Sequence, residues 1–285
     1  MTDSDHYIGV LDCAGKDAES FLHGQFTSDI AAMQIGTYQR AAYCNPKGRV
    51  LSLFDVLKIS DGHYQLLIQA GLIESILKRL RMFVMRAKVT FTHLSDLSVC
   101  SYEGHLQPSR GYFIQDGNLT ILNVGISRDR YLSISEGQST PLSTSWLLND
   151  IEDGLPQVYV STSEEFLPQA INLDLINAVN FQKGCYPGQE IVARLKYLGK
   201  LKQRMMIIKG CSSDKIPSPG DPVYCGEKKA GQIVMSAVTS DNQFTALALI
   251  NIAKRDLPGF RLDNADIISL DVPPYPVPEF LDEPD

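Results

Sequence analysis

The chain of 285 residues has no cysteine pair spaced C-x-x-C, no histidine pair spaced H-x-x-x-H, and one tryptophan, Trp146. Its six cysteines, at positions 13, 44, 100, 185, 211 and 225, are scattered. In a chain of this size that pattern argues for reduced thiols and against a disulfide framework. The five histidines are equally dispersed, so local spacing supplies no permanent zinc or iron–sulfur ligand set. Ligands brought together by the fold, or shared across a dimer, stay open. No apolar run approaches the ~18 residues that span a bilayer. The opening MTDSDHYIGV has neither a basic–apolar signal layout nor an arginine-rich transit pattern, and a cytoplasmic protein is the expectation. What remains is ordinary globular composition, 44% hydrophobic and 21% charged with net charge −7. It suffices for two or three domains with a sizeable core.

The informative stretch is NFQKGCYPGQEIVARLKYLGKLKQR, residues 180–204. Gly184 and Gly188 free the backbone for positive φ or for close approach of another group. Pro187 suits the first turn of a helix, where a missing N–H costs nothing. Residues 188–197 have helical spacing, with Ile191, Leu195 and Leu198 on one stripe. Cys185 then lies just ahead of a helix N-terminus beside Lys183, and both features favour a thiolate. A lone cysteine is more commonly a small packing residue, and both readings stay open. After Glu190 come Arg194, Lys196, Lys200, Lys202 and Arg204 with no acid among them. The run is either a solvated face or the seat of an anionic ligand or partner.

KGCYPGQE resembles the K-G-C-(Y/F)-x-G-Q-E signature of the YgfZ family, the folate-binding relatives of the glycine-cleavage T-protein, an aminomethyltransferase. The flanks EFLPQAINLD and EIVARLKYLGK agree with that family, as do FLHGQFTSDI and AAYCNPKGRVL nearer the start. His23 replaces the family's usual glutamine and reads as a helix end and turn. Gln25, Thr27 and Asp29 are candidates to line a polar cleft. The resemblance implies a GcvT-like α+β fold: two interleaved α+β domains within residues 1–204, a C-terminal β-barrel over 205–271, and an extended, proline-rich acidic tail over 272–285. It also implies a central cleft for tetrahydrofolate. Trp146 would stack on the pterin, with Tyr7 as a second aromatic and Glu152 as a candidate acceptor for pterin N–H groups. Lys183, Gly184, Tyr186, Gly188, Gln189, Glu190 and Arg194 would lie around the ligand. Lys196, Lys200, Lys202 or Arg204 would meet the glutamate tail, and Cys185 would sit at or near the cleft as the reactive thiol.

The aminomethyltransferases carry an aspartate pair after the glycine turn, one of which is catalytic. The matching positions here are near Ser52 and Leu53. Asp55 stands at an odd offset, which on a strand turns a side chain to the opposite face. The transferase carboxylate is therefore missing, and whether the chain is an enzyme stays open. The resemblance implies a folate-binding factor in the assembly or repair of iron–sulfur proteins, including tRNA-modifying enzymes, with those proteins or their assembly machinery as partners. The alternatives are a folate-dependent one-carbon transferase and a tRNA-binding module using the basic run. Another departure is Asn177-Ala178 where the family often has Gly-Gly. Asparagine tolerates positive φ, so Asn177 keeps one glycine role.

Elsewhere, residues 7–11, 40–45 and 49–59 read as strands, the last two joined by the turn Asn45-Pro46-Lys47-Gly48. Residues 16–23 read as a helix stopped by Gly24, and 71–81 and 144–156 as further helices, the latter capped by Ser143 or Thr144. Residues 88–101 alternate like one strand. Arg79, Arg81, Arg86 and Lys88 make a second cationic cluster, read as solvent-facing. Short strands with Pro/Gly turns over 205–270 suggest a small barrel or sandwich.

Overall fold

The computed structural model describes residues 7–138, 140–212, 215–240 and 242–280. Residues 281–285 of the expected tail lie outside the described residues. The chain opens with β1 (Ile8–Ala14), α1 (Ala18–Gln25), β2 (Tyr38–Cys44), β3 (Val50–Ser60), β4 (His63–Gln69), α2 (Ile73–Phe83) and β5 (Thr90–His93). Their strands form an antiparallel sheet in the order β2-β3-β4-β1-β5. These strands are apolar almost throughout because both faces are covered. Val56, Leu66 and Leu11 point to one core with α1 and α2, while Leu57, Leu67 and Val10 point to a second core that contains Trp146. Neighbouring residues on a strand face opposite ways, so each strand supplies both cores in alternation. On α2, Ile73, Ile76, Leu77 and Leu80 are buried, each contributing about 1.5–3 kcal/mol.

A second antiparallel sheet follows: β6 (Leu97–Tyr102), β7 (Phe113–Asp116), β8 (Leu119–Asn123) and β9 (Tyr131–Glu136), in the order β6-β9-β8-β7. The run 88–101 is therefore two strands in two sheets, not one. Helix α3 (Thr144–Glu152) has Ser143 as its cap, whose hydroxyl accepts from the Trp146 N–H at 3.2 Å. The chain then returns to the first sheet. Val50 N–H donates to Phe166 O at 2.8 Å, and Asn180 N–H donates to Thr27 O at 2.9 Å. This return brings the signature loop and α4 (Gln189–Tyr197) onto the first sheet, and it interleaves the two α+β units.

The remainder is a closed barrel of β10 (Gln203–Ser212), β11 (Pro222–Cys225), β12 (Lys228–Ser240), β13 (Gln243–Asn251), β14 (Phe260–Arg261) and β15 (Ala265–Asp271), in the order β10-β13-β12-β11-β14-β15. Two local expectations change. Gly24 lies inside α1, which runs on to Gln25 and stops where Phe26 turns extended. On α4 the buried residue is Val192, whereas Ile191 is 40% and Leu198 85% exposed. The helix is rotated from the expected stripe because its N-terminus is pinned to the β2–β3 turn.

Candidate functional site

The cross-strand register of the β2–β3 hairpin places Arg40 opposite Asp55. Arg40 Nε and Nη2 donate to the two Asp55 oxygens at 2.9 and 3.1 Å, with Asp55 buried and Arg40 largely so. A two-point pair of this kind is among the stronger polar contacts. It faces a central cavity of about 450 Å³, within the ~300–1,000 Å³ usual for ligand sites. Tyr38 and Gln39 join the pair from the first sheet, Arg110 and Val124 come from the second, Leu175, Ile176 and Asn177 from the return segment, and Tyr275 from beyond the barrel. Arg110 is half exposed and paired with Asp129. The donors Arg40 Nη1 and Gln39 Nε2 are buried with no hydrogen-bond partner among the described residues. An unpartnered buried donor is costly, and a ligand acceptor would satisfy Arg40 Nη1; Gln39, opposite Val56 on the strand, points to the other face. The cavity thus combines an apolar wall, one unfilled donor, one carboxylate and a cation at the rim.

Behind the cavity lies a buried charge cluster. Arg130 donates to Asp150 at 2.8 Å and to Asp153 at 3.1 Å, with its guanidinium 4.8 Å from the centre of the Trp146 ring. Burial raises the Asp150 carboxyl above the usual carboxylate range despite the guanidinium charge beside it.

The signature loop is built differently from the expectation. The Lys183 ammonium is turned inward onto the carbonyl oxygens of His23, Phe26 and Ser28, where it ties off the end of α1. Burial pulls its pKa down to about 8, against the attraction of Asp29. Gln189 Nε2 donates to Lys183 O at 3.3 Å and closes the loop on itself. Tyr186 is buried, with the Lys183 ammonium 5.4 Å from its ring centre. Gly188 caps α4 with φ +80°, and a Cβ there would stand 2.5 Å from both Asn45 O and Gly48 Cα. Lys183, Tyr186, Gly188 and Gln189 thus form a clasp that joins α1, the hairpin turn and α4. Cys185, by contrast, is exposed. It stands four residues ahead of α4. The ammonium of Lys183, expected beside the thiol, is directed inward instead.

The site residues expected from the sequence therefore separate. None of Cys185, Lys183, Gly184, Tyr186, Gly188, Gln189, Glu190 or Arg194 lines the central cavity. Gly184 lies by His23, and Glu190 and Arg194 are exposed on α4. Trp146 is 7% exposed in the second core. It borders a different cavity, of about 430 Å³, with Tyr102, Arg130 and Tyr131. Tyr7 borders a third, beside Ala70 and His93. Arg204 does not reach the ligand rim: it is buried against Asp174 at 2.7 Å and Glu279 at 2.9 Å. Thr27 is buried, its hydroxyl donating to Ala178 O, while Asp29 caps a short turn through the Ala32 N–H. Glu152 pairs with Arg128 at the surface. Asn177 does take φ +59°. The residues sequence reading missed are Arg40, Asp55, Arg110 and Tyr275. The first two were hidden by a β-bulge: continuing the Cys44–Val50 register back from the turn would set Arg40 opposite Phe54, and the shift between Tyr43 and Cys44 puts it opposite Asp55.

Among the described residues no three His, Cys, Asp or Glu side chains converge as a metal site, and no helix is long and apolar enough to cross a membrane. No family model matches the chain. The glycine cleavage system aminomethyltransferase T from Bartonella henselae superposes with a TM-score of 0.70 at 13% identity, over 94% of this chain and 83% of its own. The chain thus has the aminomethyltransferase fold, α+β with a C-terminal barrel. The tRNA-modifying protein YgfZ of Cronobacter sakazakii is 26% identical over 83% of this chain and 80% of its own length. The tRNA-modifying protein YgfZ of Photobacterium profundum is 30% identical over 93% of this chain and 88% of its own. With that identity sustained along nearly the whole sequence, and the signature loop folded as one clasp, the chain belongs to the family of the tRNA-modifying protein YgfZ.

Proposed function

We propose that the protein binds tetrahydrofolate, or a derivative, in the central cavity and supports tRNA modification by serving iron–sulfur proteins, with Cys185 as its outward-facing thiol. The observation that carries the folate reading is the Arg40–Asp55 pair with its unpartnered Nη1 on the cavity wall. Asp55 accepts from pterin N–H groups, Arg40 donates to a pterin acceptor, and Arg110 meets the glutamate tail. The thiol and the cavity are separate stations. Folate is held inside, while Cys185 meets a partner protein from outside. Aminomethyl transfer is the weaker reading. Ser52 is fully buried with its hydroxyl on Leu53 O, and the cavity's one carboxylate, Asp55, is held by Arg40.

Anaerobic calorimetric titration of tetrahydrofolate into wild type, Asp55→Asn, Trp146→Ala and Cys185→Ala tests this. Asp55→Asn is expected to weaken binding about tenfold or more, the cost of one charge-assisted hydrogen bond. Cys185→Ala should bind as wild type does. Loss of binding in Trp146→Ala with none in Asp55→Asn would move the ligand to the Trp146 cavity. No binding by wild type would end the folate reading.

A further inference from the structure

Beyond β15 the chain leaves the barrel and crosses back to the α+β body. Pro273 and Val277 are buried there and Tyr275 is half buried. The Tyr275 hydroxyl donates to Gly154 O at 2.8 Å and accepts from Asn172 Nδ2 at 3.3 Å. Its seat is shaped for it. Gly154 has φ +65°, and a Cβ there would stand 2.8 Å from both Pro273 Cβ and the Tyr275 hydroxyl. Asn172 also takes a positive φ and fixes β10 by donating to Met205 O at 2.9 Å. Further along, Glu279 accepts from Arg204 Nε and Nη2, both at 2.9 Å, and its carbonyl accepts from Arg255 at 3.1 Å. Four prolines at 273, 274, 276 and 278 keep such a segment extended and stiff. Between its two ends, Tyr275 lines the central cavity beside Leu155, Leu175 and Asn177.

We propose that residues 272–280 are a strap that closes one wall of the central cavity, with Glu279 as its anchor and Tyr275 as the residue through which it touches the ligand. The ligand clause rests on the folate reading above; the wall clause does not. The anchor is releasable. Asp174 is 5% exposed and Glu279 29%, so solvent reaches the Glu279 side of Arg204 first. When Glu279 leaves, Arg204 keeps its buried partner, and the strap lifts without an uncompensated charge inside the protein. A strap of this kind admits a ligand longer than the closed cavity and then holds its planar end.

Two readouts separate the clauses: amide hydrogen exchange without ligand, and calorimetric affinity for tetrahydrofolate. The variants are Glu279→Ala, Tyr275→Phe and Tyr275→Ala, each checked for an intact barrel by protection of β12 and β13. Glu279→Ala should speed exchange at residues 153–155 and 172–177 on the order of tenfold, a local opening. Tyr275→Ala should weaken tetrahydrofolate about tenfold, with Tyr275→Phe in between because it keeps the ring. Unchanged exchange in both Glu279→Ala and Tyr275→Ala would overturn the strap. Faster exchange with wild-type affinity in Tyr275→Ala would keep the wall and overturn the ligand contact. Should wild type bind no tetrahydrofolate, the folate reading falls while the exchange result still decides the strap.

Discussion

Two residues of the clasp show how backbone and charge jointly hold the signature loop. Gly188 is fixed by its positive φ and by the backbone pressed against it. Gly188→Ala is expected to cost about 2–4 kcal/mol, from left-handed strain plus overpacking. The drop in urea midpoint measures it, and a variant as stable as wild type would mean the hairpin turn yields. Lys183 is the second. Its pKa is about 8 in the fold against the ordinary 10.5, so the unfolded chain holds this proton more tightly. Between those values the unfolded state binds more protons, and stability rises with pH; below about 8 both states are protonated and the contribution is flat. Urea midpoints from about pH 7 to 10 should climb more steeply in wild type than in Lys183→Met. Parallel profiles would show that the three carbonyls keep the ammonium charged throughout. Lys183→Met should itself be destabilised by roughly 2–4 kcal/mol, since it strands buried carbonyls.

At the scale of elements, the return segment decides where the site is built. Asn177 turns the chain with φ +59° and delivers the segment to both the cavity and the clasp. Asn177→Gly should be neutral within about 0.5 kcal/mol, while Asn177→Val should lose about 1–2 kcal/mol and weaken ligand binding with it. Thermal melts beside the titrations read both, and an unaffected valine variant would show that the turn has an alternative path. This asparagine was legible in the sequence because a local backbone need shows in a single residue. β1, β2 and β3, the hairpin turn, α2 and α3 were legible for the same reason: periodicity and turn chemistry are local. The outward face of α4 was not, because its rotation is set by contact between Gly188 and Gly48, residues 140 positions apart. The separation of Cys185 from the cavity was hidden likewise. A motif fixes which residues stand together in the chain, whereas the inward turn of Lys183 depends on carbonyls at 23, 26 and 28. The strap left the least signal, since a proline-rich acidic run reads as solvated whether or not it finds a seat.

For the whole molecule, the cavity walls come from both sheets, the return segment and the strap beyond the barrel, so a ligand there touches the α+β body and the strap. Binding to the folded state alone stabilises by about 2.7 kcal/mol at a ligand concentration 100 times Kd. For a chain of this length that is a rise in melting temperature of roughly 4–8 °C. How the rise responds to the anchor carries more information than its size. Met205, Met235, Leu247 and Leu249 of the barrel share one apolar core with the first sheet, so calorimetry with tetrahydrofolate should show one transition moving as a unit. Glu279→Ala should keep that single transition, because the shared core still joins the barrel to the α+β body, but should reduce the ligand-induced shift, because the strap no longer holds the cavity closed. A ligand seated instead in the Trp146 cavity would give Glu279→Ala the full wild-type shift. One peak in both proteins, moved less by ligand in the anchor variant, is the outcome that joins cavity and strap.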